Sequence, residues 1–167
     1  MRWDDPNLIS TGQYIKLKQG ENRVRIVSEV EPYGKHYTKD KRTYICLGKD
    51  MGCLECANGE KPRLQYLCWA IDRVDGKIKM LEVGYQIVSQ IKKLAESKEY
   101  GFEIMPNYDL TITKEGEMLE TEYTLIPARQ DTKLTEAEQE EIMSLESPAE
   151  IIKQKKAKLM EDSPNPF

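Results

Sequence analysis

The chain has a single histidine, two tryptophans, two phenylalanines and four cysteines among its 167 residues, and it has no apolar run near the roughly 20 residues needed to cross a bilayer. Its opening residues, Met1-Arg2-Trp3-Asp4-Asp5-Pro6, lack the basic-then-apolar pattern of a secretory signal, so a cytoplasmic protein is expected. In a reducing compartment thiols stay reduced, and a disulfide framework is not expected. A phosphate-cradling glycine loop is missing, as is an acidic cluster suited to two-metal chemistry, so no enzyme is expected.

At this length one principal hydrophobic core is expected, with any insertion or tail stabilised locally. The formal charge is -4, unevenly placed: residues 1–130 carry 20 basic and 20 acidic side chains, and 131–167 carry 5 against 9. Residues 14–49 hold 9 basic against 4 acidic side chains, a local positive surface that the total conceals.

Three segments follow from composition and periodicity: an N-terminal arm over 1–13, a core over 14–130, and an acidic, helical to disordered tail over 131–167. Within the core, Ile15 and Leu17 alternate with Tyr14, Lys16 and Lys18, and after a turn at residues 19–22 Val24 and Ile26 alternate with Arg23 and Arg25. The pattern predicts an antiparallel hairpin with its basic side chains outside. The apolar run Leu64–Ile71 predicts a central strand, Asp75-Gly76 a tight turn into Lys77–Leu81, and the spacing of Ile87, Ile91 and Leu94 a helix. Two further strands, 108–113 and 121–126, complete a mainly β pattern with one internal helix that fits a small barrel of the oligonucleotide-binding type, and an open sheet with similar hairpins is also compatible. In the tail, Thr135 with Glu138 three positions later predicts a capped helix, and a second is expected from Ala149 to Met160.

Between the hairpin and the central strand, residues 33–62 are rich in glycine and poor in apolar groups, so hydrophobic burial cannot order them. They hold His36, Cys46, Cys53 and Cys56, with the last two in a Cys-x-x-Cys pair. One imidazole and three thiolates fill a tetrahedral Zn2+ shell and leave no position for an activated water, so one structural zinc ion in an inserted subdomain is predicted. Cys68, among Leu67, Trp69 and Ile71, reads instead as a core thiol.

Around these ligands stand Tyr33, Lys35, Tyr37, Lys41, Arg42 and Tyr44, and the preceding hairpin adds Lys16, Lys18, Arg23 and Arg25. Rings that stack on bases, interleaved with cations that follow phosphates, suit a single strand bound without reading its sequence. Trp69, Arg73 and Tyr108 are further candidates on strands, where an aromatic ring is more often core than a stacking platform.

These residues carry a resemblance. The turn and strand Gly20-Glu21-Asn22-Arg23-Val24-Arg25-Ile26, the ligand series at 36, 46, 53 and 56, Trp69-Ala70-Ile71-Asp72-Arg73, and Tyr108-Asp109-Leu110-Thr111-Ile112-Thr113-Lys114-Glu115-Gly116 resemble the zinc-containing single-stranded-DNA-binding proteins of tailed bacteriophages. The resemblance implies an oligonucleotide-binding barrel with a zinc subdomain beside its groove, and the coating of transient single strands during phage DNA replication, recombination and repair in the host cytoplasm. The C-terminal Pro166-Phe167 resembles the tip of bacterial single-stranded-DNA-binding proteins and implies docking to replication or repair proteins; the acidic tail could also occupy the positive groove. The competing expectation is a zinc-stabilised protein-interaction module that does not touch DNA.

Overall fold

The computed structural model describes residues 14–37, 43–48, 52–128 and 133–162, with the backbone alone at 54, 161 and 162. The expected arm over 1–13, Lys41, Arg42 and Pro166-Phe167 lie outside the described residues.

Seven antiparallel strands form one sheet: β1 Gly20–Ile26, β2 Glu31–Tyr37, β3 Thr43–Ile45, β4 Arg63–Asp72, β5 Lys77–Val83, β6 Leu110–Glu115 and β7 Glu122–Pro127. The ten-residue β4 is its spine. Its first half pairs with β2 and its second half with β1 along one edge, and β5 follows the other edge from Tyr66 to Asp72. From β1 the sheet continues through β6 to β7, and β3 lies outside β2. Helix α1 is a single turn, Leu54–Ala57, α2 is Tyr85–Glu96, α3 is Glu136–Met143 and α4 is Pro148–Asp162.

Period-two alternation gives β4 and β5 two unlike faces. On the inner face Cys68, Ala70, Leu81 and Val83 join Val24, Ile26, Leu110, Ile112 and Leu125 in the main core, and Ile87 of α2 seals it. On the outer face Leu67 and Met80 are buried under Ile151 and Ile152 of α4, with Tyr14, Tyr33, Ile45 and Trp69 packed alongside.

The mainly β antiparallel architecture expected from the sequence is present, and closure into a barrel is not seen among the described residues. The sheet stays open between β5 and β7, which are not paired among the described residues. Helix α2 packs in that interval, and its Gln90 side chain donates to the Tyr123 carbonyl (2.7 Å) and accepts from the Leu125 amide (2.9 Å). One side-chain amide thus satisfies two backbone groups on the β7 edge that a closing strand would otherwise engage. The helical period around Gln90 was visible in sequence; that a polar residue on it would cap a strand edge was not.

Two other expectations are corrected. Tyr14–Lys18 does not form a hairpin with β1: Tyr14 meets Met80 in an isolated parallel bridge, and Asn22 turns its side chain back onto the backbone of Lys18 and Gly20. The segment 32–63, expected to lack strands, contributes β2 and β3. Pro32 and Gly34 disguise β2, and Gly34 is needed there, because a Cβ on it would stand 3.0 Å from that of Cys46 and 3.1 Å from that of Pro62.

Of the two C-terminal helices, α4 packs on the sheet through Ile151 and Ile152, whereas α3 has no buried residue and meets the fold through the Arg73–Glu138 ion pair. Thr135 and Glu138 form the expected reciprocal capping box on α3, Ser147 accepts from the Glu150 amide at the start of α4, and Pro148 opens that helix where its missing N–H costs nothing. No helix among the described residues is long and apolar enough to cross a membrane.

Candidate metal centre and nucleic-acid interface

Three backbone segments bring the four candidate ligands together. His36 lies on β2 opposite Tyr44, and Cys46 follows β3, its amide bonded to the Gly34 carbonyl at 2.7 Å. Cys53 and Cys56 sit on the turn that becomes α1, tied back by the Cys53 amide to the Gly48 carbonyl at 3.2 Å. All four side chains are buried.

Their donor atoms all fall within 4.8 Å of one another. Cys46 Sγ lies 3.9 Å from Cys53 Sγ and 3.5 Å from Cys56 Sγ, and His36 Nε2 lies 3.4 Å and 3.5 Å from the sulfurs of Cys53 and Cys56. A tetrahedral ion with metal–sulfur bonds of about 2.3 Å sets its ligand atoms about 3.8 Å apart, so the cluster fits such an ion. The Gly48 amide points at Cys46 Sγ (3.4 Å), the type of donor that stabilises a thiolate.

The thiols do not ionise alike. Burial raises Cys53, but the backbone amides of Cys56 and Leu47 and the neighbouring thiols outweigh it and bring Cys53 down to about 6. Burial and the adjacent sulfurs of Cys46 and Cys53 push Cys56 up to about 12. One thiolate forms readily, the next is opposed by it, and a bound cation is what lets all three ionise together. Cys68 stands apart in the main core, where burial pushes its thiol up to about 12. A thiol-labelling experiment on native metal-loaded protein at neutral pH should therefore modify none of the four cysteines quickly. After chelation three should react and Cys68 should not; rapid labelling of Cys68 in folded protein would contradict its place in the core.

The candidate nucleic-acid residues separate into distinct groups. Lys16 and Lys18 are exposed. Tyr37 is 50% exposed on β2, with Arg63 5.0 Å and Lys35 5.8 Å from its ring centroid, and Tyr44 is half-buried on the neighbouring β3. Arg63 escaped the sequence reading because its place opposite Lys35 depends on the β2–β4 register, which periodicity did not reveal. Tyr33 is half-buried, its hydroxyl bonded to Glu82, and burial together with that carboxylate raises its ionisation well above the ordinary phenol range. Lys35 also pairs with Glu82, at 3.1 Å.

Tyr108 is a core residue, buried edge-on against Tyr100 and Phe102 with its hydroxyl on the Tyr100 carbonyl (2.7 Å). Trp69 is half-buried, and its indole N–H donates to the Glu146 carbonyl at 2.7 Å in the α3–α4 connection. Arg25, expected outside, is 5% exposed and lies 3.6 Å from Asp109. Asp109 is the hub, accepting from Arg23 at 2.9 Å and from Arg73 at 3.1 Å through both of its oxygens. Arg73 also reaches Glu138 of α3 at 3.1 Å. The alternation that puts Arg23 and Arg25 on one face was legible; the aspartate that gathers them, 86 residues beyond Arg23, was not.

No family model matches the sequence, and no solved structure matches it. Among curated proteins the chain is similar to a probable single-stranded-DNA-binding protein of Escherichia phage T5, at 27% identity over 66% of this chain and 53% of that protein. The chain therefore spans about half the length of this relative.

Proposed function

We propose that the chain binds single-stranded DNA without reading its sequence and coats it during phage DNA replication, recombination and repair, with one zinc ion in the His36, Cys46, Cys53 and Cys56 cluster as a structural clamp. The observation that carries this reading is the half-exposed Tyr37 ring with Lys35 and Arg63 both close to it, on the strand that also bears the candidate ligand His36. A ring and two cations on one edge suit a base stacked beside its phosphates. Lys16 and Lys18 extend the basic surface, and the phage relative's printed name points to the same class of ligand.

When bound, zinc supplies a rigid cross-link and no reaction: three sulfurs and one nitrogen complete its shell. The chain's part is to hold β2, β3 and α1 together, so that Tyr37, Tyr44 and Lys35 keep fixed positions at the edge of the sheet. The nucleic-acid roles of the buried Arg25 and Tyr108 are then indirect, through the packing of β1 and of the segment before β6.

The test is a fluorescence titration with short oligonucleotides of differing base composition at several salt concentrations. Binding should weaken with salt and differ little between sequences. Tyr37→Ala should cost about 1–3 kcal/mol across all of them, and Arg63→Ala should lower the salt slope by about one. Absence of binding at low salt would reject the reading in favour of a zinc-stabilised protein-interaction module.

A further inference from the structure

We propose that Arg23 and Arg73, clamped by Asp109, form a phosphodiester-binding site, and that the Glu138 carboxylate of α3 stands where the phosphate binds until nucleic acid displaces it. This deepens the single-strand-binding reading and rests on it.

The site is built before any ligand arrives. Asp109 is 2% exposed, and Arg73 grips it in a fork, Nε to one oxygen and Nη2 to the other, both at 3.1 Å. That grip fixes the guanidinium plane and turns Nη1 outward, where it meets Glu138 at 3.1 Å. Arg23 meets the same aspartate through Nε, while its side chain remains 54% exposed. Arg25 approaches the same aspartate at 3.6 Å, so Asp109 holds three guanidiniums, and Arg73 alone reaches on to Glu138. Planar guanidiniums held by a buried carboxylate are the usual means of presenting a fork to a phosphate.

Glu138 shows that the outer edge of Arg73 accepts an oxyanion, and it is the removable partner of the two. Asp109 is buried on the backbone leading into β6, whereas α3 has no buried residue. The same surface segment covers Trp69: the Glu146 carbonyl holds the indole N–H, and the α3–α4 connection and Trp69 line one groove of about 280 Å3. Trp69 and Arg73 share the outer face of the β4 line, so displacing α3 together with its connection to α4 frees the indole N–H and the outer edge of Arg73 at once, a ring and a cation of the kind that a nucleotide engages.

The test compares full-length, metal-loaded chains carrying Glu138→Gln or Glu140→Gln, titrated by anisotropy with a fluorescein-labelled oligo-dT at low salt. Gln at 138 removes the charge and retains the capping box with Thr135, so α3 stays formed. Glu140 is exposed on the same helix and controls for net charge alone. Glu138→Gln should tighten binding about 3- to 10-fold, on the order expected for losing one competing carboxylate, and Glu140→Gln should change it less than about 2-fold. In an Arg73→Lys background, which keeps the charge and loses the fork, the gain should disappear. If the wild-type chain binds the oligonucleotide and the two glutamine variants behave alike, the carboxylate-for-phosphate exchange is wrong and the single-strand reading stands. If no chain binds, the reading itself fails, and this inference with it.

Discussion

Chelating the metal from native protein is expected to melt the lobe formed by β2, β3 and α1 while leaving β1 and β4–β7 folded. The lobe has little apolar burial of its own: its cluster consists of Cys46, Cys53 and Cys56, with Leu47 packed against them. What remains is β-pairing at the edge of the sheet and the packing of Tyr33 and Ile45 beside α4, insufficient to offset the conformational entropy of about 1–2 kcal/mol per ordered residue. A structural zinc contributes an apparent 10–16 kcal/mol of coupled binding and folding energy, which exceeds the other local contributions. Hydrogen exchange before and after chelation should show amides of residues 33–37, 43–48 and 52–62 losing protection, and those of β4–β7 retaining it. Cys53→Ser should reproduce the pattern and weaken oligonucleotide binding indirectly. Equal protection in both states would mean that something other than the ion orders the lobe.

The second large effect is expected at Asp109. Replacing it with Asn removes the buried charge that Arg23, Arg25 and Arg73 share and leaves Arg73 its contact with Glu138, a change of the kind that costs about 3–5 kcal/mol when a buried pair is broken. The melting temperature should fall by on the order of 10 °C. Burial acts to raise the carboxyl, but the hydrogen bonds and charges of Arg73 and Arg23 outweigh it and hold the folded-state value below the ordinary 3.8. A depressed carboxylate contributes stability that is complete above its unfolded value and is lost as pH falls through its folded value. Wild type should therefore lose this contribution below about pH 4, whereas Asp109→Asn should start lower and show a flatter acid limb. Parallel acid limbs for the two proteins would show that Asp109 is not the coupled group. Arg23→Ala should cost less than Asp109→Asn, because Arg23 is half-exposed and its loss leaves the aspartate two other guanidiniums.

The parts of this account that were readable from sequence share one property: their signal is local. Cys53 and Cys56 announce a chelating turn within four residues, and the Thr135–Glu138 box announces a helix start within four more. The runs that became β4, β5 and α2 are continuous patterns of one period. The parts that were missed depend on pairings across the chain. Gly34 reads as a loop breaker until the Cys46 backbone is seen against it, and Arg25 reads as an outward base until Asp109 arrives from before β6. The barrel stays open because Gln90, an unremarkable polar residue on a helix, satisfies the edge of β7. The docking of α4 on the outer face was equally hidden, because the two isoleucines that anchor it, Ile151 and Ile152, are too few to advertise a buried helix.

An outer face covered by the chain's own C-terminal helices places the proposed contacts at the edges of that face. Tyr37, Lys35 and Arg63 line the edge beside the metal lobe, and Arg73 meets α3 through Glu138 while Arg23 shares its Asp109 and stays half-exposed. Both proposed edges depend on the lobe and the sheet keeping one relative position, and an ion held by His36, Cys46, Cys53 and Cys56 would fix β2, β3 and α1 to each other beside β4.

X-ray absorption at the zinc edge of protein purified without added metal and without denaturation tests this dependence most directly. One zinc per chain is predicted, with about three sulfurs near 2.3 Å and one nitrogen near 2.0–2.1 Å. A chain with no bound metal, or an ion surrounded chiefly by oxygen, would contradict the account.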